Sequence, residues 1–565
     1  MNEISDTRLI FITGGVLSGL GKGVVAASIG KILQFRGYRV DAVKIDPYLN
    51  VDPGTLNPIE HGEVFVCEEV WDFEAAPGYK FRLAEIDQDF GTYERFLDLN
   101  MHPSNNITSG QIYLSVVLKE RIGKFLGKTI QVIPHITDEI KRRIKKAAER
   151  LNPDVLLVEI GGTVGDIEVM PFLEALRQLI LELGKDRIAL VHVTLVPFLE
   201  TVGQLKTKPT QHSVKTLQSM GLQPDIIIGR SSVELPDDVK QKISLFCNVP
   251  KHAVISDPDL ETPYELPMIF EKQSLGEIIC DMLRLPKKRP DDRMFGGWSE
   301  LVRRFKEPRD HVKIALPGKY CMISDSYISI IEALRASAAK LGLGADIVLM
   351  ETEEFEANPS KLNSLDGVGG ILLTPGFGAR GVEGMIMTAE YAIRKGIPLL
   401  GICFGAQLLF VAFSRSILGL KDANSTEVDP GTSHPVVDLL EEQRAIDVKG
   451  GTMKLGGRPV RLIDGTKLRE AYGAEKIVER FRHRYHINPK YVGMAERKGL
   501  VVSAYDDLDK TICGIELKDA WIVGVQFHPE FKSRPNKPSP IFLNFVKEAY
   551  ENQKNRVLER GSTRK

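Results

Sequence analysis

The sequence predicts an α/β protein of two domains, the first built on a parallel sheet that opens with a P-loop-like glycine turn and the second also α/β. Three observations predict it. The chain has 565 residues, well beyond the ~250–300 at which a single hydrophobic core stops growing. Its short apolar runs are continuous rather than alternating and are separated by helical stretches, the pattern of strands buried on both faces. Finally, a charged stretch with proline and paired glycine at 286–310 interrupts this alternation, as a linker does.

Leu9-Ile10-Phe11-Ile12 is the first run and ends in Thr13-Gly14-Gly15; residues 24–35 then place apolar side chains at helical spacing until Gly37. Strand, glycine loop and helix follow one another. Residues 40–45, 155–160 and 188–196 are further buried strands, and 312–316, 345–350, 370–373 and 398–402 restart the alternation after the interruption. The expected division is a first domain over 1–285, a linker over 286–310, a second domain over 311–550 and a tail over 551–565. That tail is charged and without an apolar pattern, so it reads as frayed. No internal repeat is visible.

Apolar residues make up 43% and charged residues 26%, with 50 glycines and 31 prolines, which excludes a fibrous, collagen-like or wholly disordered chain. Lys and Arg total 74 against 75 Asp and Glu, so no net field gathers polyanions, and neither nucleic acid nor a membrane surface is an expected partner. No apolar run of about 18 residues occurs, and the N-terminal MNEISDTRLIFITGG carries acids rather than a basic start, so neither a membrane span nor a signal peptide is expected. Six widely spaced cysteines without a C-x-x-C pair read as buried thiols of a cytoplasmic protein.

Gly14-Gly15-Val16-Leu17-Ser18-Gly19-Leu20-Gly21-Lys22-Gly23 follows a strand and opens a helix, which aims backbone N–H groups and a positive helix end at a place where a triphosphate can sit. It departs from Walker A. Five residues rather than four separate Gly15 from Gly21, and Gly23 replaces the Ser/Thr that would hold Mg²⁺. A glycine turn before a helix is common; Lys22 at the helix start is what points to phosphate. Carboxylates that could hold the cation lie in Ile86-Asp87-Gln88-Asp89 and at Glu159, ahead of Gly161-Gly162. Mg²⁺ takes one or two carboxylates and completes its shell from phosphate and water. Asp87 and Asp89 alone read as an acidic loop, whereas a carboxylate in a buried strand is costly without a partner. Lys206-Thr207-Lys208-Pro209-Thr210-Gln211 offers ammonium groups, hydroxyls and an amide. Alone it reads as surface; beside a phosphate loop it becomes a second triphosphate site.

Gly401-Ile402-Cys403-Phe404-Gly405 follows an apolar strand as G-x-C-x-G, the cysteine form of the nucleophile elbow, whose strained turn lifts a thiol to a helix N-terminus beside oxyanion donors. Phe527-His528-Pro529-Glu530 supplies a base and an acid to orient it. A lone cysteine between glycines, or a lone histidine, is more often structural. Elbow, chain order Cys…His-x-Glu and α/β texture together favour catalysis.

With these motifs, the stretches GGVLSGLGKG, KIDPYLNVDPGTLNPIEHGEVFV, DFGTYERF, VEIGGTVGDIE, KTKPTQ and HPEF make the chain resemble the CTP synthase family, glutamine-dependent enzymes that aminate UTP, over nearly its whole length. The resemblance implies an N-terminal amidoligase (synthetase) domain and a C-terminal domain similar to class I glutamine amidotransferases. It implies that Cys403 attacks the amide of L-glutamine, with His528 and Glu530 completing a triad, and that Gly376, Phe404, Gly405, Ala406, Gln407, Glu427 and Arg484 surround that substrate. Gly19, Leu20, Gly21, Lys22, Gly23 and Val24 would hold ATP phosphates within reach of Lys44, Ser18 would touch the acceptor nucleotide, and Asp89 and Glu159 would ligate Mg²⁺. Lys206, Thr207, Lys208, Pro209, Thr210, Gln211 and Lys242 would bind the UTP triphosphate. CTP would share those contacts and place its base near Asp166, Ile167 and Glu168, implying feedback inhibition, and residues 377–384 resemble the lid associated with GTP activation. The family works as a cytoplasmic homotetramer, and some members form filaments.

Two departures stand out. Thr374-Pro375-Gly376-Phe377-Gly378 occupies the family's P-G-G-F-G position, so Pro375 donates no N–H where a glycine usually stands. Residues 68–80 lengthen the connection before the metal acids, which leaves Asp87 and Asp89 both as candidates and Asp72 as a bystander. The chemistry expected is phosphorylation of the UTP 4-oxygen by ATP, with Lys22 and Lys44 supplying the electrostatics, then displacement of phosphate by ammonia. Ammonia attacks only unprotonated, so a closed passage from Cys403 is expected, with His61 near its mouth. Two rivals share part of the pattern. An amide synthase of the cobyrinate type would show no UTP-dependent release of ADP, and a ParA-like switch or filament scaffold would carry a Cys403 that resists glutamine analogues.

Overall fold

The structure is a computed structural model that describes residues 6–321, 324–440, 443 and 452–562. It falls into two compact units, Met1–Pro53 with Trp71–Leu83 and Asp89–Lys306, and Gly54–Val70 with Ala84–Gln88 and Glu307–Lys565.

The first unit is built on β1 (Arg8–Gly14), β2 (Val40–Asp46), β3 (Asn106–Thr108), β4 (Val155–Ile160), β5 (Ile188–Leu195), β6 (Ile226–Arg230) and β7 (Val254–Asp257). All pair in parallel, in the order β7-β6-β5-β1-β4-β2-β3. β2 and β4 are buried along their whole length; β4 is apolar on both faces but for Glu159, as a doubly covered parallel strand is, whereas β2 buries Asp41, Lys44 and Asp46. The connections leaving the neighbouring strands β1 and β4 run toward opposite edges of the sheet, and ligands of open α/β sheets bind beyond the carboxyl ends of strands at such a switch. The glycine turn after β1 leads into α1 (Lys22–Phe35) there; α2 (Asp89–Leu97), α3 (Lys208–Ser219) and α4 (Asp237–Cys247) carry further candidate residues.

The stretch expected as a linker holds a helix, α5 (Asp292–Lys306). Trp298 is buried against Phe35, Phe96 and Tyr264 and donates its indole N–H to the Tyr264 carbonyl at 2.8 Å. Phe295, Trp298, Leu301 and Val302 share one face at helical spacing, while the charges that gave the segment its linker texture line the other. The added residues 68–80 belong to a hairpin, Phe65–Ala76 with Tyr79–Ile86. Within the first unit it packs Trp71, Phe73 and Phe81 together.

The second unit holds a sheet of β8 (His311–Gly318), β9 (Gly344–Glu351), β10 (Gly370–Leu373), β11 (Leu399–Ile402), β12 (Lys454–Leu462), β13 (Lys476–His483), β14 (Leu500–Asp506), β15 (Ile512–Leu517) and β16 (Ile522–Val525), ordered β9-β8-β10-β11-β16-β15-β14-β12-β13. Pairing is parallel from β9 through β16 and antiparallel beyond. Alternate residues feed opposite cores: Ile371, Leu373 and Leu399 join Phe410 of α6 (Phe404–Ser416), whereas Leu372 and Leu400 join Phe542 and Phe545 of α7 (Pro540–Ser562). α7 corrects the expected frayed tail, since the chain stays helical to Ser562. Its polar residues are held: Tyr550 donates to Asp310 at 2.7 Å, Asn552 to the Gly369 carbonyl at 2.7 Å and Gln553 to the His311 carbonyl at 2.9 Å.

All six cysteines are buried and unpaired as disulfides. Among the described residues no helix is long and apolar enough to cross a membrane.

Candidate active sites

In the second unit the chain turns sharply between β11 and α6, and Cys403 takes the whole bend at φ 51°, ψ −103°, a conformation that costs a non-glycine residue energy and persists only where its surroundings impose it. Those surroundings are visible. A Cβ at Gly401 would lie 2.8 Å from the Gly405 carbonyl oxygen, and one at Gly405 would lie 2.3 Å from the Leu373 carbonyl oxygen, so both flanking glycines are demanded by crowding. The Cys403 N–H donates to the Val525 carbonyl at 2.7 Å. Around Sγ stand the Arg482 carbonyl at 3.6 Å and the Gln526 amide N–H group, which donates to sulfur at 3.4 Å.

His528 and Glu530 are buried, and Nδ1 lies 2.7 Å from Glu530 Oε1. Burial would depress the imidazole pKa, but the Glu530 carboxylate and then Cys403 outweigh it and lift it to about 10. The Phe531 ring stacks on the imidazole at 5.1 Å. Cys403, Gly376, Phe404, Gln407, Glu427 and Arg484 line one cavity of about 560 Å³. Gly405 and Ala406, in the first turn of α6, are not among its lining residues. Cys403, His528 and Glu530 share a smaller cavity of about 70 Å³, with Pro375 and Phe377 in its wall. Glu427 accepts the Gly378 N–H at 2.7 Å; burial pushes its carboxyl up, opposed by that bond and by Lys319. Arg484 donates to Gln443 at 2.6 Å.

In the first unit the loop between β1 and α1 uses positive φ at Val16, Gly19 and Gly21, and Gly21 starts α1 with no side chain capping its N–H groups, which leaves them to a ligand. Ser18 is exposed in this loop, whereas Leu20 is buried, and Val24 lies in the first turn of α1. Lys22 donates to the Gly162 carbonyl at 2.6 Å, and its pKa is lowered by burial first, with Glu159 opposing and Lys44 adding to the effect. Lys44 pairs with Asp89 and stands 3.8 Å from Asp46. Asp89 reaches so close to Gly23 that a Cβ there would lie 2.7 Å from its Oδ1. Glu159 accepts from the Tyr93 hydroxyl, and burial lifts its pKa to about 6, with Lys44 and Lys22 drawing it down and Asp89 pushing it up. Two mutually repelling carboxylates beside two lysines suit a divalent cation carried on phosphate. Among the described residues no three His, Cys, Asp or Glu side chains gather as a metal cage, so such a cation would complete its shell from phosphate and water. Asp87 falls instead in the segment Ala84–Gln88 of the second unit.

Thr207, Lys208 and Pro209 form the start of α3. Thr210 donates to the Leu195 carbonyl at 3.0 Å and the buried Gln211 amide to the Thr207 hydroxyl at 3.0 Å. Lys206 donates to Gln204 at 2.9 Å. Lys208 stands 5.9 Å from the Phe246 ring of α4, the helix that also carries the exposed Lys242. Asp166 accepts the Thr163 N–H at 3.1 Å and opens a turn with Ile167 and Glu168, where Ile167 is 85% exposed.

A family model described as CTP synthase N-terminus matches residues 8–285, and one described as glutamine amidotransferase class-I matches residues 322–548. The CTP synthase of Pyrococcus abyssi (strain GE5 / Orsay) is 50% identical over 548 residues, which cover 96% of this chain and 98% of that protein. This chain belongs to the CTP synthase family. The CTP synthase of Methanopyrus kandleri is likewise 50% identical over 545 residues, 96% of this chain and 99% of its own length. A solved structure of the Trypanosoma brucei CTPS glutaminase domain with bound acivicin covers 42% of this chain and 94% of its own, at 32% identity and a TM-score of 0.40. As a CTP synthase the enzyme is a ligase of pyrimidine biosynthesis that converts UTP to CTP with ATP, taking nitrogen from L-glutamine.

The structure adds residues to the sites of this CTP synthase that motif reading missed. Lys319, 1% exposed, donates to the Phe377 carbonyl at 3.0 Å and to that of Gly378, sits 4.5 Å from the Phe404 ring, and is lowered by burial to about 8. Arg482 lines the large cavity and donates to Glu85 at 2.6 Å and to the Gly54 carbonyl at 3.0 Å. Gln526 bridges Gln407 and Cys403. The alternation Arg482-His483-Arg484-Tyr485 at a strand end was the one local signal available; Lys319 and Glu85 had none.

Proposed function

We propose that the enzyme divides CTP synthesis between a glutaminase site in the second unit and a kinase-amination site in the first, corresponding to domains over 311–550 and 1–285. What supports this most is the buried Cys403, His528 and Glu530 set on a strained turn beside a cavity that also presents Glu427 and Arg484. The Cys403 thiolate attacks the amide carbon of L-glutamine; Glu427 meets the α-ammonium and Arg484 the α-carboxylate. N–H groups at Gly376 and at the start of α6 receive the oxyanion, and His528 gives its proton to the departing nitrogen. Water then cleaves the thioester, with His528 as base and Glu530 orienting it.

In the first unit the glycine loop and Lys22 hold the ATP phosphates, Lys44 neutralises charge as the γ-phosphoryl passes to the UTP 4-oxygen, and residues 206–211 with Lys242 hold the UTP triphosphate. Asp89 and Glu159 would hold Mg²⁺, whose chemistry there is neutralisation of phosphate charge. Ammonia, which attacks only unprotonated, then displaces the phosphate. CTP competes at the UTP contacts with its base near residues 166–168, GTP acts through the lid at 377–384, and the enzyme works as a cytoplasmic homotetramer, able to assemble further into filaments. The test is CTP formation from UTP, ATP and Mg²⁺ with either glutamine or an ammonium salt, with and without GTP. Cys403→Ala is expected to abolish turnover with glutamine and keep it with ammonium; loss of both would refute the division.

A further inference from the structure

His192 lies in β5 at 0% exposure and is the register partner of Thr13, the residue that leads into the glycine loop. Burial, helped by the Lys22 charge, drives its pKa down to about 3, so the ring is neutral and offers one donor and one acceptor. Both are used. The Thr13 hydroxyl donates to the Val191 carbonyl at 3.3 Å, so it accepts from Nδ1–H at 2.9 Å, and Nε2 accepts from the Ser213 hydroxyl at 2.8 Å. Ser213 belongs to α3, whose first turns carry Lys208 and Gln211. The loop backbone closes the third side, because a Cβ at Gly15 would lie 1.6 Å from Ser213 Oγ and 3.0 Å from His192 Nε2. Loop, strand and helix therefore meet at one point with no room for a methyl group.

We propose that His192 is a positioning residue that locks the glycine loop to α3, so that the ATP phosphate contacts and the UTP triphosphate contacts keep one mutual register. This rests on the reading above that residues 19–24 and 206–211 hold the two nucleotides. A helix turn is stiff, so a displacement at Ser213 carries through to Lys208 and Gln211. The imidazole bridges the two hydroxyls with a rigid ring.

Two substitutions separate the two bonds. His192→Asn keeps a donor near the Nδ1 position and loses the bond to Ser213; His192→Gln reaches toward Ser213 and loses the bond to Thr13. With ammonium as nitrogen source, His192→Asn should raise KM for UTP roughly tenfold, the factor that corresponds to a buried hydroxyl left without its partner. Ser213→Ala should do the same, and the double variant should be no worse than either single one, while His192→Gln recovers most of the UTP affinity. Glutamine hydrolysis without nucleotide should be unchanged in all of them. A KM for UTP within twofold of the parent in both His192→Asn and Ser213→Ala would overturn the proposal, and so would effects that multiply in the double variant. Absence of UTP-dependent turnover in the unaltered enzyme would bring down the nucleotide reading and this proposal with it.

Discussion

Replacing Gly405 by alanine tests whether backbone crowding sets the turn that presents Cys403. The added methyl carbon would lie 2.3 Å from the Leu373 carbonyl oxygen and 2.8 Å from the carbonyl carbon. A carbon and a carbonyl oxygen approach to about 3.3 Å without strain, so the overlap is about 1 Å. Neither partner can swing aside, because Leu373 closes β10, paired to Gly401 of β11, and Gly405 lies in the first turn of α6. The helix must therefore retreat by about 1 Å, at a stability cost of about 1–3 kcal/mol for an overpacked core site. Cys403 caps that helix and moves with it, and a 1 Å misplacement of a reacting group is worth about 100-fold in rate. Parallel assays of CTP formation from glutamine and from ammonium should show kcat/KM for glutamine falling by about 100-fold while the ammonium-driven rate stays within about twofold. A Gly405→Ala enzyme with glutamine turnover within about threefold of the parent and an unchanged melting temperature would refute the crowding argument.

Lys454 is buried with its ammonium 2.7 Å from both Asp506 and Asp509, and Asp506 is 0% exposed. Lys454→Met leaves that carboxylate with Arg458 and the Leu508 N–H but removes its buried ammonium partner, so scanning calorimetry should show a loss of about 3 kcal/mol; a shift of less than about 1 °C would contradict it. The folded protein refuses a proton at His192 until about pH 3, whereas the unfolded chain takes one near pH 6.5, so this group costs stability as pH falls through that window, about 1.4 kcal/mol per unit. His192→Gln does not titrate, and its melting temperature should fall less than the parent's between about pH 7.5 and pH 5.5; equal falls would rule the effect out.

What could be read without a structure was local. Strand, glycine loop and helix at the N-terminus, the strands near 40–45, 155–160, 188–196, 312–316, 345–350, 370–373 and 398–402, and the G-x-C-x-G turn with its H-x-E partner are encoded by spacing within a few residues, whereas the strands at 106–108, 226–230 and 254–257 were not read. The angle of a turn and the face of a helix follow from such spacing by steric rules alone. The charged texture of 286–310 and of 551–565 hid the helices within them for the same reason. Charge reports only the solvent face of α5 and α7, while their burial depends on Tyr264 and Phe35 in one unit and on the β8 backbone in the other. The antiparallel half of the second sheet also escaped, since strands such as β12, with Gly456-Gly457 and Pro459, have no apolar period of their own and are ordered by their neighbours.

The chain by itself determined which side chains could do chemistry: a thiol on a strained turn, an imidazole with its acid, a lysine at the mouth of a glycine loop. Folding decided which partners set their charge and place. Arg482 meets Glu85 across 397 positions, Lys44 meets Asp89, and His192 meets Ser213 through a bond that exists only because β5 and α3 pack around Gly15. Such pairings depend on distance and desolvation in three dimensions, quantities that no separation along the sequence records.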